Sequence, residues 1–256
     1  MLARTLLFNV LFYVTFIVMA VVLAPTLLLP QRHIWFVPKL WTRVSLWLHR
    51  TICGVGEDIS GLENIPDGGF LVACKHQSTW EILRLVALFP KPTFVFKRQL
   101  RWLPLFGWYL IKFGQIPVNR GQRSKALQAM AGIAADRIDA GHQVIIFPEG
   151  TRRPPLAEPK YKYGVTYLYD KLNAPCLPIA LNSGLFWPRR TIAHRRGVVT
   201  MKILPAIPPG HDADTFTAEL QDAIESALAD MNTQAMRQYP AIAAAVKREQ
   251  AGLTFS

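Results

Sequence analysis

From Thr5 to Gln31 the chain carries no charged side chain, and the run LLFNVLFYVTFIVMAVVLAPTLLLP fills most of that interval. A helix needs about 20 apolar residues to cross a hydrocarbon core of about 30 Å, and this run exceeds that length. A secretory signal peptide is the competing reading, with Met1–Arg4 as its basic region and Val22-Leu23-Ala24 as its cleavage site. Pro25 would follow such a cut directly, and Leu27–Pro30 continue the apolar run, so a retained membrane segment is expected. Crossing the bilayer and re-entering near Pro25 are both compatible with it. The next stretch, Ile34–Arg50, repeats Val37, Leu40, Trp41, Val44, Trp47 and Leu48 at helical spacing, with Lys39, Arg43 and Arg50 largely elsewhere. Tryptophans and cations on an amphipathic helix suit the headgroup zone, and an ordinary core-packing helix is the alternative. Basic flanks predict that the remaining chain lies on the cytoplasmic side of an inner membrane.

Charge sharpens this picture. Lys and Arg number 29 against 17 Asp and Glu, a formal charge of +12, yet 51% of residues are hydrophobic. No acid precedes Glu57, nine basic residues and no acid lie between Ile82 and Ala135, and seven acids follow from Asp212 onward. The middle of the chain therefore carries the positive field. Basic and apolar together suggest an anionic bilayer, or an anionic substrate with an apolar tail. A nucleic-acid role is not expected, because the cations interleave with apolar runs and no binding motif is present. Three cysteines, Cys53, Cys74 and Cys176, form no CxxC pair and read as buried thiols in a reducing compartment. No metal site is predicted.

After Gly54 short β-type runs alternate with helical periods. Phe70–Ala73, Thr93–Phe96, Val144–Phe147, Cys176–Leu181 and Val198–Leu204 read as buried strands. Helices are predicted over Thr79–Phe89, Ser124–Asp139, Gly164–Leu172 and Asp214–Met231, with Thr79 and Ser124 as caps and Gly141 as a stop. The alternation predicts an α/β layered sheet. Residues 1–50 are expected to anchor the chain and residues 51–256 to form one domain.

No GxSxG elbow, HExxH or P-loop occurs. Two stretches carry the chemistry. In Cys74-Lys75-His76-Gln77-Ser78-Thr79-Trp80-Glu81, His76 and Glu81 would diverge by about 140° on a regular helix. At a strand-to-helix turn they can converge, and a carboxylate on one ring nitrogen leaves the other as a base. The second is Phe147-Pro148-Glu149-Gly150-Thr151-Arg152, directly after an apolar strand, at the carboxyl end where open α/β sheets bind ligands. Arg152 and Thr151 can donate to a phosphate, and Gly150 permits close backbone approach.

Together HQSTWE and FPEGTR make the chain resemble the glycerolipid acyltransferases, specifically the 1-acyl-sn-glycerol-3-phosphate acyltransferase family. That family carries an NHxxxxD block, a basic block, FPEGTR and an apolar strand with a central proline. The second block is matched by Phe96-Lys97-Arg98, Leu103–Gly107 and Ile116–Arg120, and the fourth by Leu177-Pro178-Ile179-Ala180-Leu181-Asn182. The resemblance spans about residues 55–205. Lys75 stands where the family has Asn, and Glu81 where it has Asp. The resemblance implies a mixed α/β sheet flanked by helices, and transfer of a fatty acyl group from a thioester to the free hydroxyl of 1-acyl-glycerol-3-phosphate. It implies His76 as base and Glu81 as its partner. Lys97, Arg120 and Arg152 would hold phosphate, with Glu149, Gly150 and Thr151 shaping the glycerol site. The implied partners are the bilayer, a lysophospholipid acceptor, and acyl carrier protein or coenzyme A carrying the donor, with no cofactor.

The oxyanion is expected to meet backbone N–H groups near Ser78 and Thr79. A covalent route through Ser78 or Cys74 is an alternative, as are a lyso-ornithine lipid, another lysophospholipid or glycerol 3-phosphate as acceptor. Outside enzymes, a non-catalytic adaptor binding anionic lipid fits the charge and the apolar segment.

Overall fold

The computed structural model describes residues 2–118 and 123–250. Seven strands form one mixed sheet: β1 (Val55–Ser60), β2 (Phe70–Cys74), β3 (Pro92–Lys97), β4 (Ile116–Val118), β5 (Gln143–Ile146), β6 (Cys176–Leu181) and β7 (Gly197–Ile203). Their spatial order is β1-β7-β6-β2-β5-β3-β4. Neighbours run parallel except β6 and β7, which are antiparallel. Among the described residues eight α-helices surround the sheet: α1 (Leu2–Val22), α2 (Phe36–Leu48), α3 (Trp80–Leu88), α4 (Phe106–Lys112), α5 (Arg123–Asp139), α6 (Tyr163–Leu172), α7 (Ala213–Gln238) and α8 (Pro240–Gln250).

Strand alternation sorts the core into two layers. On β2, Phe70, Val72 and Cys74 face a layer that includes Trp80 and Leu83 of α3, Leu48 of α2, Phe8 and Phe12 of α1, and Ile242 of α8. Leu71 and Ala73 face the other layer, built with Met130 and Ala134 of α5, Leu168 of α6, and Phe216, Leu220 and Ile224 of α7. A strand buried on both faces must be apolar throughout, which is why β2 and β6 read as continuous hydrophobic runs. The predicted strands all form. The two edge strands, β1 and β4, are not among them. Half-exposed β1 carries Glu57 and Asp58, and β4 contains Pro117, features that belong at sheet edges.

Helix ends follow local chemistry. Gly141, at φ +76°, closes α5, with its N–H bonded to the Ile138 carbonyl at 2.8 Å. Asp212 caps α7 by accepting the N–H groups of Asp214 and Thr215, each at 3.0 Å. Predicted to stop at Met231, α7 runs on to Gln238, because Met231 and Ala235 still pack inward. Thr79 makes no capping bond. Ser78 does, its hydroxyl accepting the Trp80 N–H at 2.9 Å.

α1 is long and apolar enough to cross a membrane. One side of it nevertheless packs on the domain along its length: Thr5, Phe8, Phe12 and Ala20 are buried, while Leu6, Val10, Val14, Ile17 and Val21 are exposed. The predicted stripe on α2 splits likewise. Val37 and Leu48 are buried with Thr42 and Ser45, but Leu40 and Trp47 point outward at 45% and 62% exposure. α1 thus presents one face to the core and a second, apolar face to the surroundings, whereas the outer face of α2 is mixed, with exposed Arg43 between Leu40 and Trp47.

Candidate active site

Strands β6, β2 and β5 lie side by side, and the carboxyl end of each supplies one wall of a single cleft. The turn after β2 carries His76, FPEGTR follows β5, and Asn182–Leu185 follow β6. Main-chain bonds tie the three together. Arg153 N–H donates to the His76 carbonyl at 2.9 Å, and Gly184 N–H to the Gln77 side chain at 3.0 Å.

His76 and Glu81 converge as the turn permits, with Nδ1 at 2.8 Å from Oε1. Glu81 is fully buried. The same Oε1 accepts the N–H groups of Gln77 and Ser78, each at 2.7 Å, and Oε2 accepts the Ser78 and Ser183 hydroxyls at 2.9 and 2.8 Å. The extra methylene of glutamate is absorbed by this backward reach over the first turn. Burial pushes the Glu81 carboxyl up. The hydrogen bond and charge of His76, the Ser78 N–H and the Ser183 hydroxyl outweigh it, and hold the carboxyl below its ordinary value. An ionised carboxylate only accepts, so Nδ1 of His76 carries a proton, and in the neutral ring the lone pair is on Nε2. The ring lies flat on Phe147, centroids 3.9 Å apart, which fixes its plane.

These bonds revise two expectations. The Ser78 N–H is consumed by Glu81, so it does not face an oxyanion. Neither nucleophile of the covalent alternative is poised. The Ser78 hydroxyl donates to Glu81, and Cys74 is fully buried, its thiol pushed well up by burial and by the charge of Glu81.

Beside His76 opens an apolar cavity of about 490 Å³, reaching between the sheet and the layer formed by α1, α2 and α4. Phe16, Trp41, Ile82, Phe94, Leu110 and Ile146 are among its walls, and Lys97 and Lys162 are its cations. Its size and lining suit an alkyl chain. The polar rim lies in FPEGTR and beyond β6. Thr151 and Arg152 are exposed, and Arg152 reaches Thr79 Oγ1 at 3.4 Å. Arg189 donates to the Arg152 carbonyl at 2.5 Å. Burial, and then the charges of Arg190, Arg152 and Arg153, push the Arg189 guanidinium down. Gly150 sits at φ +64°, where a side chain would be strained and would press on Lys162 at 3.2 Å.

Of the other predicted residues, Lys97 is exposed at the cavity rim, and Arg120 lies outside the described residues. Glu149 sits elsewhere than expected. It is 2% exposed and points inward to Lys75, whose Nζ lies 3.3 Å from Glu149 and 2.7 Å from Glu225 of α7. Burial pushes the Glu149 carboxyl up, the neighbouring Glu225 charge adds to this, and Lys75 opposes it. Its role is thus to anchor the loop from below. Sequence reading missed Lys75, Ser183, Lys162 and Arg189 as parts of the site. Only Lys75 carried a signal, as a departure from the family pattern.

A family profile described as Acyltransferase matches residues 58–182. A 1-acyl-sn-glycerol-3-phosphate acyltransferase of Pseudomonas aeruginosa is 37% identical over 191 residues, which cover 75% of this chain and 74% of that protein. The chain belongs to this acyltransferase family. More distant members include 1-acyl-sn-glycerol-3-phosphate acyltransferase alpha of Homo sapiens, 25% identical over 65% of the chain and 60% of that protein. The match to the enzyme of Chlamydomonas reinhardtii is 29% identical and covers 58% of that protein's length. Among solved structures, the 1-acyl-sn-glycerophosphate acyltransferase of Thermotoga maritima shares the fold. Its TM-score is 0.74 at 22% identity, over 90% of this chain and 97% of that one.

Proposed function

We propose that this acyltransferase moves a fatty acyl group from a thioester to the free hydroxyl of 1-acyl-glycerol-3-phosphate, giving phosphatidic acid. The observation that carries this reading is the His76–Glu81 pair at the junction of an apolar cavity and an arginine rim. An acceptor with an alkyl tail and a phosphate fits both walls. Nε2 of His76 takes the proton of the acceptor hydroxyl as the oxygen attacks the thioester carbonyl. Collapse of the tetrahedral intermediate breaks the C–S bond, and the imidazolium returns the proton to the departing thiolate. Glu81 holds the ring's orientation and stabilises its charge. Arg152 and Arg189, with Arg120 and Lys97, hold the phosphate. Thr151 and Gly150 border the glycerol. Coenzyme A or acyl carrier protein delivers the donor, and the reaction calls for no cofactor.

Residues 1–50 serve as the membrane anchor and residues 51–256 as the catalytic domain. Because α1 packs on the domain along one side, the reading that fits best is a helix lying in the cytoplasmic leaflet with its outer face in lipid, the cavity opening toward the acyl chains.

The test is an acceptor screen with purified protein and one labelled thioester of each donor type. Lysophosphatidic acid should be acylated, and His76→Ala should lose a factor of about 10² to 10⁴ or more. Turnover of a lyso-ornithine lipid or glycerol 3-phosphate instead would overturn the acceptor. Full activity in His76→Ala would overturn the base.

A further inference from the structure

A second cluster of reactive side chains lies on elements other than those that form the cleft. α2 ends in a π-helical turn, His49–Cys53, which places His49 and Cys53 on the same side of the chain. His194, from the segment before β7, meets them there. All three are buried, and Nε2 of His49 lies 3.1 Å from Nδ1 of His194, which in turn lies 3.7 Å from Sγ of Cys53. The ligand atoms of the three all fall within 4.8 Å of one another.

These separations match those of a metal's ligands. An ion about 2.0 Å from each imidazole nitrogen and about 2.3 Å from a thiolate sets the nitrogens about 3.3–3.5 Å apart and nitrogen to sulfur about 3.5–3.7 Å. The His49–His194 and His194–Cys53 separations need to change by only a few tenths of an ångström, and the third lies within 4.8 Å.

We propose that His49, Cys53 and His194 form a three-coordinate site for monovalent copper, separate from the acyl-transfer chemistry. Two imidazoles and one thiolate suit a thiophilic d10 ion. Charge balance selects within that class. Among the described residues no carboxylate bonds to any of the three, Phe8 and Trp187 pack on the imidazoles, and the nearby charge is Arg4. Cu(I) with one thiolate is neutral and satisfied by three ligands. Zn(II) would leave an uncompensated positive charge beside Arg4 and would need a fourth ligand. Binding is a ligand exchange without redox: the Cys53 S–H proton leaves to solvent as the S–Cu bond forms. The ion would tie the end of α2 to the segment before β7. It would reach α1 through the His194 N–H, which donates to Thr5 Oγ1 at 3.2 Å.

The full chain, purified in detergent without oxygen, is titrated with Cu(I) held by bicinchoninate. One Cu(I) per chain should be withdrawn, and copper-edge X-ray absorption should report two nitrogens and one sulfur. Cys53→Ser and His194→Gln should each weaken binding by about 10- to 100-fold or more, while Cys176→Ala should not. Circular dichroism establishes which variants are folded, and either ligand variant alone suffices. No withdrawal of copper, or equal binding by a folded ligand variant, overturns the site. Displacement of bound Cu(I) by equimolar Zn(II) overturns the choice of copper.

Discussion

Lys75 shows how one residue that breaks a family pattern acquires a physical reason. An asparagine at this position would be neutral, whereas here two carboxylates, Glu149 and Glu225, converge on the same buried spot. Tyr161 adds a hydrogen bond to Glu225 at 3.0 Å. The lysine joins β2, the FPEGTR loop and α7 beneath the cleft. Removing one partner of a buried ion pair costs about 3–5 kcal/mol, because the remaining charge is left unpaired. Lys75→Met is therefore expected to lose that much stability in urea denaturation, and Lys75→Met with Glu149→Gln to recover part of it. A Lys75→Met protein within 1 kcal/mol of wild type would show that the network is solvated and not a strut. The sequence marked Lys75 as unusual, but its partner in α7 lies 150 positions away, beyond the reach of any local pattern.

At the scale of elements, α1 and α2 are two-sided. Their inner faces belong to the same apolar layer as β2 and β6; the outer face of α1 is apolar and that of α2 mixes Leu40 and Trp47 with Arg43, and both are exposed among the described residues. An apolar face of this extent is stable in lipid and costly in water. The two sides should separate by experiment. Val14→Lys with Val18→Lys, on the outer face, should reduce flotation with anionic vesicles about tenfold or more while leaving thermal unfolding nearly unchanged. Phe8→Ala, on the inner face, should lower stability by about 3–5 kcal/mol. Equal loss of stability from both would mean that α1 is simply a core helix. Hydropathy located these helices but could not assign their faces. A residue's periodicity is the same whether protein or lipid receives it.

Stability of the whole molecule against acid depends on buried histidine. His142 sits at the start of β5, with Nδ1 2.8 Å from the Thr93 hydroxyl and Trp35 edge-on to its ring. Burial, with the charges of Arg137 and Lys91, pushes its pKa down from 6.5 to about 4. The fold therefore prefers the neutral ring, and the unfolded chain takes up the proton first. This share of stability is complete above pH 6.5 and is lost as pH falls toward 4, at about 1.4 kcal/mol per pH unit. Denaturant midpoints measured from pH 7 to pH 4.5 should fall, and His142→Gln should remove one histidine's part of that slope. An unchanged slope in the variant would place the acid sensitivity elsewhere.

The sequence by itself determined the alternation of strands and helices, the buried central strands, the long apolar N-terminal helix and the two motif blocks. Each is written in local periodicity or in a contiguous string. His76 and Glu81 belong here too, since they are joined by a single turn. Only the tertiary structure decided that Glu149 turns inward to Lys75, that Ser183 completes the cradle of Glu81, that Arg189 joins the rim, and that His194 meets His49 and Cys53. Those partners come from segments far apart in the chain. What brings them together is the order β6-β2-β5 for the cleft, and the packing of α1 and α2 into the apolar layer that also holds β7 for the cluster. Strand order and helix packing depend on contacts across the whole sheet, which no local stretch of sequence encodes.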